Sequence, residues 1–183
     1  MKWIIDKQFD FCYGHRVWSQ SLHVDYSLDN CLMCRHLHGH QGKIKIFLEA
    51  QRLENGMVTD FKHLNWFKQW LDSVLDHKFI IDRSDPLFFD MMSHYCTGEM
   101  MDETKFSSHE EGYWTPRLEV VENAIEAVRE KYEGMVVVDF VPTSENLCAW
   151  MLEIVQQKMK PLGVRVHSVQ FWETPKSHCE VQA

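Results

Sequence analysis

Hydrophobic and polar residues alternate along three stretches of the chain, and this pattern predicts three β-strands. The first stretch covers residues 3–11 and leads to a bend before His15, the second covers residues 43–50, and the third covers residues 164–173. Because successive side chains of a strand point to opposite faces, each stretch presents one apolar face to a core.

Two other stretches carry apolar residues at the three- and four-residue spacing of an amphipathic helix. Residues 60–76 form the first, with Thr59 or Asp60 as its N-cap. Residues 143–160 form the second, with Thr143 or the serine after it as its N-cap. We therefore predict two main helices.

Residues 85–134 show no clear periodicity apart from helical spacing in their last third, and we interpret them as an insertion. Residues 135–141 (MVVVDFV) then predict a short buried strand or an extended lead into the second helix. The order of elements is typical of an α+β domain with an antiparallel sheet. The length predicts that residues 1–183 form a single domain.

The composition narrows the class of protein. With 45% hydrophobic residues the chain can build one sizeable core, and its net charge of −8, without any basic run, disfavours nucleic-acid binding. Charges interrupt the apolar runs near the N-terminus, so we expect neither a secretory signal nor a membrane span, and a cytoplasmic protein. Apart from one Cys-x-x-Cys pair the six cysteines lie far apart, so we expect reduced thiols that can bind metal or take part in catalysis.

The densest group of chemically active residues is the heptapeptide CRHLHGH at residues 34–40. Its His38 and His40 can direct two imidazoles at one metal ion, because Gly39 between them has no side chain to crowd the approach. His15, after the first strand, is a candidate third ligand. Three histidines with one open position would form a catalytic zinc site.

Two other interpretations of this motif remain open. Cys31 and Cys34 form a Cys-x-x-Cys pair that two of the histidines could complete, which would give a structural zinc knuckle without an open position. Alternatively, the histidines are ordinary surface or hydrogen-bonded residues, as most of the eleven histidines in the chain are expected to be.

Further candidates lie outside the motif. Cys34 could act as a base or nucleophile, because a thiol near a divalent cation and His36 loses its proton more easily. Asp76 and His77, at the end of the first helix, place a carboxylate and an imidazole side by side for proton transfer. Glu173, beside aromatic residues, could hold the amidine-like edge of a guanine-type ring through two hydrogen bonds.

Six segments in this order, namely His15, CRHLHGH, GMVTDF, LDH, PTSEN and FWET, resemble the 6-pyruvoyltetrahydropterin synthase and 6-carboxytetrahydropterin synthase family. The resemblance spans residues 9–173 apart from the insertion. It implies a tunnelling fold (T-fold), in which an antiparallel four-stranded sheet carries two helices on one face. It also implies a homo-oligomer, commonly a hexamer, with active sites at subunit interfaces.

The resemblance implies a role for each candidate residue. The zinc ligands would be His15, His38 and His40. The catalytic residues would be Cys34, Asp76 and His77, the last two supplied by a neighbouring subunit. The residues that bind the pterin would be Glu173, which anchors the ring, with Thr143 and Ser144 lining the same pocket. In the family, zinc binds the side-chain hydroxyls of dihydroneopterin triphosphate and acidifies the adjacent bonds, while the thiolate and its partners move protons.

The spacing of four residues from Cys34 to His38 resembles the carboxy-forming branch of the family. That branch converts 7,8-dihydroneopterin triphosphate to 6-carboxytetrahydropterin, acetaldehyde and triphosphate in queuosine and 7-deazaguanine biosynthesis, and the gap is longer in the pyruvoyl-forming branch. Gly14 departs from the family pattern, which usually has an alanine-like residue there.

Three alternatives remain open. They are elimination of triphosphate by a 6-pyruvoyltetrahydropterin synthase on the same scaffold, a T-fold protein that binds another purine or pterin, and a non-catalytic zinc-binding module.

Overall fold

The computed structural model describes all residues from 1 to 183 and contains ten strands and four α-helices. The strands are β1 (Trp3–His15), β2 (His38–Ala50), β3 (Lys78–Asp82), β4 (Cys96–Thr97), β5 (Met100–Met101), β6 (Phe106–His109), β7 (Tyr113–Pro116), β8 (Met135–Val138), β9 (Arg165–Thr174) and β10 (Ser177–Gln182). The helices are α1 (Asn65–Val74), α2 (Phe88–Met92), α3 (Glu126–Glu133) and α4 (Ser144–Met159). None of these helices has both the length and the apolar character needed to cross a membrane.

The main sheet has eight strands in the order β10-β9-β2-β1-β3-β8-β7-β6. Strand β3 pairs in parallel with both β1 and β8, whereas the β9–β10, β2–β9, β6–β7 and β7–β8 pairs are antiparallel. The α+β class is therefore confirmed, but the prediction of a four-stranded antiparallel sheet with two helices was wrong. Strands β3 and β8 are nearly continuous apolar runs, as is usual for buried parallel strands, so they lack the alternation that reveals an antiparallel strand.

The chain divides into two compact units. The first comprises Met1–Cys12, His40–Asp76 and Thr143–Ala183. Here β2 and β9 pair with Ile44 opposite Phe171, and both of these side chains are fully buried. Helix α4 packs on β9 and β10, and the Trp150 ring on α4 meets the Trp70 ring of α1 edge-on, with centroids 5.4 Å apart. The three alternating stretches of sequence thus supply one face of this core.

The predicted helix caps are present. The Asp60 carboxylate accepts a hydrogen bond from the Lys62 N–H at 2.7 Å, at the start of a 3-10 turn that continues into α1. The Thr143 hydroxyl accepts one from the Asn146 N–H at 3.2 Å, at the start of α4. Beyond the other end of α4, Gly163 adopts a left-handed conformation with φ of 66°, which stops the chain from continuing as a helix.

The second unit comprises Tyr13–Gly39 and His77–Pro142, and it contains the residues that we interpreted as an insertion. It has a hydrophobic core of its own, made by Ile81, Phe88, Met92, Tyr95, Cys96, Phe106, Val121, Tyr132, Met135 and Val137. The Tyr95 and Tyr132 rings lie at its centre, 4.7 Å apart. Burial raises the pKa of Tyr95 to about 12. Whether residues 1–183 fold as a single domain stays a prediction.

The helix predicted in the last third of the insertion is interrupted. Leu118–Val121 form a 3-10 turn, and α3 begins only after Ile125, whose ψ of 151° is extended. The apolar residues on either side of this break keep helical spacing, but Val121 is buried in the core while Ile125 is 73% exposed. The chain is redirected at this point so that Tyr132 reaches the core.

Replacing Thr143 by alanine removes the side-chain cap of α4 and should destabilise the protein by about 1 kcal/mol. Urea denaturation followed by circular dichroism measures the change. The matched control is Ser144→Ala, since that hydroxyl contacts the neighbouring Glu145 side chain rather than a backbone N–H of the helix. Equal unfolding midpoints for Thr143→Ala and the unaltered protein would contradict this role of the Thr143 hydroxyl.

Candidate active site

The three candidate zinc ligands lie on β1 and β2. His15 is the last residue of β1, and the strand's alternation buries its side chain completely. His38 and His40 begin β2, and because they are two residues apart their side chains share one face of the strand. Each histidine offers one nitrogen in a group whose donor atoms all lie within 4.8 Å of one another.

Two of the rings are oriented by backbone carbonyl groups. His15 Nδ1 lies 2.6 Å from the carbonyl oxygen of Pro142, and His38 Nδ1 lies 2.8 Å from that of His36. Because a carbonyl oxygen can only accept, each Nδ1 must carry the proton and donate it. The neutral ring then has its lone pair on Nε2, and this orientation is the usual one for zinc-binding histidines.

The donor set fits a zinc ion. Tetrahedral zinc with Zn–N bonds of about 2.0–2.1 Å requires ligand nitrogens about 3.3 Å apart, which small side-chain rotations can reach from the observed spacing. The assembled group contains three histidines and no cysteine, the composition of a zinc site with an open fourth position. This composition favours a catalytic site over the knuckle built from Cys31 and Cys34.

The two glycines beside the histidines permit a close approach of neighbouring chain segments. A Cβ atom on Gly39 would lie 2.8 Å from the carbonyl oxygen of Tyr13, so a side chain there would push β1 and β2 apart. The expectation that Gly39 keeps the metal approach clear stays a prediction, and the structure adds a second reason for glycine, the nearby backbone of Tyr13. A Cβ atom on Gly14 would lie 2.6 Å from the Phe79 ring, which explains why glycine replaces the alanine-like residue here.

The chain segment after His15 is held by buried polar contacts that the sequence did not indicate. Arg16 Nε lies 3.4 Å from Asp85 Oδ2, and the Trp18 indole N–H donates to Asp82 Oδ2 at 2.8 Å. Burial raises the pKa of the Asp85 carboxyl group, against the opposing effect of Arg16. These pairs join residues more than 60 positions apart, so no local pattern could have revealed them.

Cys34 lies in a 3-10 turn, Met33–Arg35, and its backbone makes hydrogen bonds with two residues of the preceding segment. Its backbone N–H donates to Gln20 Oε1 at 3.0 Å, and its carbonyl oxygen accepts from the Val17 N–H at 2.6 Å. The residue is half-buried, whereas Cys31 is exposed. The turn therefore presents the Cys34 thiol on a braced loop, and its catalytic role stays a prediction.

Asp76 and His77 follow α1 as expected, and the structure brings them to an unexpected neighbour, Cys12. The Cys12 backbone N–H donates to Asp76 Oδ1 at 2.7 Å, and donor atoms of all three side chains lie within 4.8 Å of one another. His77 has a left-handed φ of 59°, which is uncommon for a non-glycine residue. Sequence reasoning missed Cys12 because its partners are 64 residues away.

Among the predicted pterin-binding residues, Glu173 lies near the metal candidates. Its Oε1 atom is 3.6 Å from Nε2 of His40, and its side chain is 24% exposed, so it can still reach a ligand. Thr143 uses its hydroxyl to cap α4, which confirms the capping interpretation. The roles of Thr143 and Ser144 in a ligand pocket stay predictions.

Replacing His38 by alanine removes one zinc ligand, whereas His36→Ala keeps the backbone carbonyl that orients His38. We expect His38→Ala to weaken zinc binding by more than about 100-fold, because loss of a residue that only hydrogen-bonds a ligand already costs about 10–100-fold. Elemental analysis after dialysis against a chelator should find zinc in the His36→Ala protein and little in the His38→Ala protein. Equal zinc contents in the two variants would contradict the ligand assignment.

The chain as a whole is similar to known pterin synthases. A family model for 6-pyruvoyl tetrahydropterin synthase matches residues 4–183. The 6-carboxy-5,6,7,8-tetrahydropterin synthase of Aquifex aeolicus is 30% identical over an alignment of 192 positions, gaps included, that covers 98% of this chain and 98% of that protein.

Solved structures resemble the whole chain. An uncharacterized protein from Wolinella succinogenes is 52% identical, with a TM-score of 0.95 over 100% of this chain and 98% of that one. The insertion and its strands therefore recur in a crystal structure. The 6-pyruvoyl tetrahydropterin synthase of Caenorhabditis elegans has a TM-score of 0.57 at 20% identity, over 100% of this chain and 96% of that one, which is a likeness of fold alone.

Proposed function

Because the chain belongs to the 6-pyruvoyl tetrahydropterin synthase family, we propose that it is a zinc-dependent lyase of the carboxy-forming type. The substrates are 7,8-dihydroneopterin triphosphate and one water molecule, and the products are 6-carboxytetrahydropterin, acetaldehyde and triphosphate. The reaction serves queuosine and 7-deazaguanine biosynthesis in the cytoplasm. The observation that carries the proposal is the three-histidine group, in which the Nδ1–H groups of His15 and His38 donate hydrogen bonds to backbone carbonyl oxygens.

His15, His38 and His40 would hold the zinc ion. When bound, the ion would supply a Lewis acid that makes the O–H bonds of the substrate side chain and the adjacent C–H bonds more acidic. The carbonyl groups of Pro142 and His36 keep the rings of His15 and His38 from rotating while substrate exchanges.

Glu173 would fix the orientation of the substrate. A carboxylate can accept two parallel hydrogen bonds from the amidine-like edge of a pterin ring. Because Glu173 lies 3.6 Å from His40, a ring held by this carboxylate would place its side chain next to the metal ligands. Binding at Glu173 therefore determines which carbon atoms of the substrate meet the proton-transfer groups.

Proton transfer is assigned to Cys34, Asp76 and His77. The Cys34 thiolate would accept a proton from the substrate, and the imidazole of His77 would exchange protons on the opposite side, with Asp76 balancing its charge. The Cys12 thiol near Asp76 and His77 points to the face of β1 opposite His15. This arrangement favours a homo-oligomer, a hexamer by family resemblance, in which each Asp76–His77 pair serves the histidine site of a neighbouring copy.

Incubation of the zinc-loaded protein with dihydroneopterin triphosphate tests the proposal directly. We expect acetaldehyde by an alcohol dehydrogenase-coupled assay, and 6-carboxytetrahydropterin by mass spectrometry. A product that keeps the three-carbon side chain would identify a pyruvoyl-forming synthase instead. Absence of turnover with a fully zinc-loaded protein would show that the scaffold acts on another purine or pterin.

Replacing Cys34 by alanine separates the catalytic role of this thiol from a structural one. Loss of a general acid or base lowers kcat by about 10²–10⁴-fold, and we expect zinc content and the unfolding midpoint to stay unchanged. Cys31→Ala is the matched control and should keep normal turnover, since Cys31 is exposed in the same loop. Loss of zinc from Cys34→Ala would instead support the non-catalytic zinc module.

A further inference from the structure

We propose that Gln20 is a positioning residue for Cys34, a role that rests on the proposed function. Cys34 lies in the 3-10 turn Met33–Arg35, and the first backbone N–H groups of such a turn have no partner within it. Leu32, the N-cap residue, carries no side-chain acceptor. The Gln20 side-chain oxygen serves instead and accepts the Cys34 N–H at 3.0 Å, from 14 residues upstream.

The backbone of Gln20 is bound to the same turn. Its carbonyl oxygen accepts a hydrogen bond from Arg35 Nε at 2.9 Å, and its N–H donates to the Val17 carbonyl oxygen at 3.1 Å. The Val17 N–H in turn donates to the Cys34 carbonyl oxygen at 2.6 Å. Residues 17–20 therefore hold both the N–H and the C=O of Cys34, so the direction of its side chain is fixed relative to this segment.

The chain that precedes the Cys34 turn does not supply this restraint. Residues 21–30 are all exposed apart from Ser27, and the Ser27 hydroxyl donates locally, to the His23 carbonyl oxygen at 3.2 Å. Exposed segments with few buried contacts open at little cost in free energy. The contacts with residues 17–20 are therefore what keeps the thiol in one place.

The segment that carries Gln20 is itself anchored. The Trp18 indole N–H donates to Asp82 Oδ2 at 2.8 Å, and Asp82 is only 3% exposed, so water cannot readily replace this partner. The Arg16 guanidinium provides a second anchor, with its Nε atom 3.4 Å from Asp85 Oδ2. Since Asp82 is the last residue of β3, the position of the thiol is tied to the sheet.

A fixed thiol matters because proton transfer requires the two heavy atoms to lie at hydrogen-bond distance in a defined direction. In the proposed function, the Cys34 thiolate accepts a proton from the substrate. A displacement of about 1 Å at a reacting group can cost about 100-fold in rate. The Gln20 hydrogen bond should therefore affect the chemical step more than it affects substrate binding.

Steady-state kinetics of the zinc-loaded protein test this role. Gln20→Met keeps the length of the side chain and removes the acceptor, so kcat should fall about 10–100-fold while KM and zinc content change little. Gln20→Glu retains an acceptor at the same reach and should keep most of kcat. Gln157→Met, the same replacement at an exposed position of α4, is the matched control and should leave kcat unchanged.

A Cys34→Ala background separates positioning from a general structural effect. Because Gln20 is proposed to act through the thiol, adding Gln20→Met to Cys34→Ala should lower kcat no further. An equal fold-loss in both backgrounds would overturn the proposal. So would an unchanged kcat in the single Gln20→Met variant.

Hydrogen–deuterium exchange with mass spectrometry tests the contact without any substrate. The Cys34 amide should exchange about 2–10-fold faster in Gln20→Met, the factor that a hydrogen bond of ordinary net strength gives. Trp18→Phe, which removes the N–H that Asp82 accepts, should also speed this exchange, whereas Gln157→Met should not. Unchanged exchange in Gln20→Met would overturn the positioning role. Absence of lyase turnover would leave these exchange rates as they are, so the two proposals can fail separately.

Discussion

The hydrogen bond from His15 Nδ1 to the carbonyl oxygen of Pro142 is the interaction on which the proposed centre depends. It joins the end of β1 to the residue that precedes the N-cap of α4, so the same turn that starts the helix also orients a candidate ligand. His15 is fully buried, and its hydrogen bond to a carbonyl oxygen requires the tautomer that carries the proton on Nδ1. The fold thus determines which nitrogen faces the other two histidines.

The close approach of β1 and β2 is the second constraint. Gly39 has no Cβ, which lets the Tyr13 carbonyl oxygen approach to the distance at which His15 and His38 have ring centroids 4.6 Å apart. A Cβ atom at this position would lie 2.8 Å from the Tyr13 carbonyl oxygen, so the backbone beside His15 would have to move. The glycine between two candidate ligands therefore sets the geometry of the site through the backbone.

The sequence was informative where a pattern is local. Alternation located β1, β2 and β9, the side-chain caps Asp60 and Thr143 were recognisable, and the His-Gly-His unit pointed to His38 and His40. Each of these features depends on residues within about one turn or one strand of each other. Residues far from this motif, such as His15 and Glu173, were candidates from their local setting, and the family resemblance gave them their specific roles.

The features of the fold and of the site that the sequence did not predict depend on contacts between residues far apart in the chain. The short buried strand expected within residues 135–141 is present as β8, but its parallel pairing with β3, inside a unit with its own core, has no local signal in the sequence. Strand β10 is mostly polar and exposed, so it has no apolar face to detect. The contact of Cys12 with Asp76 crosses 64 positions, and the carbonyl group of Pro142 is a backbone feature without a sequence signature.

X-ray absorption spectroscopy of protein containing one zinc ion per chain tests the central claim most directly, namely that zinc is held by three histidines. We expect a first coordination shell of nitrogen and oxygen atoms only, at about 2.0–2.1 Å, with the outer-shell scattering of imidazole rings. A sulfur shell at about 2.3 Å would contradict the claim, because the first zinc would then be bound by cysteine.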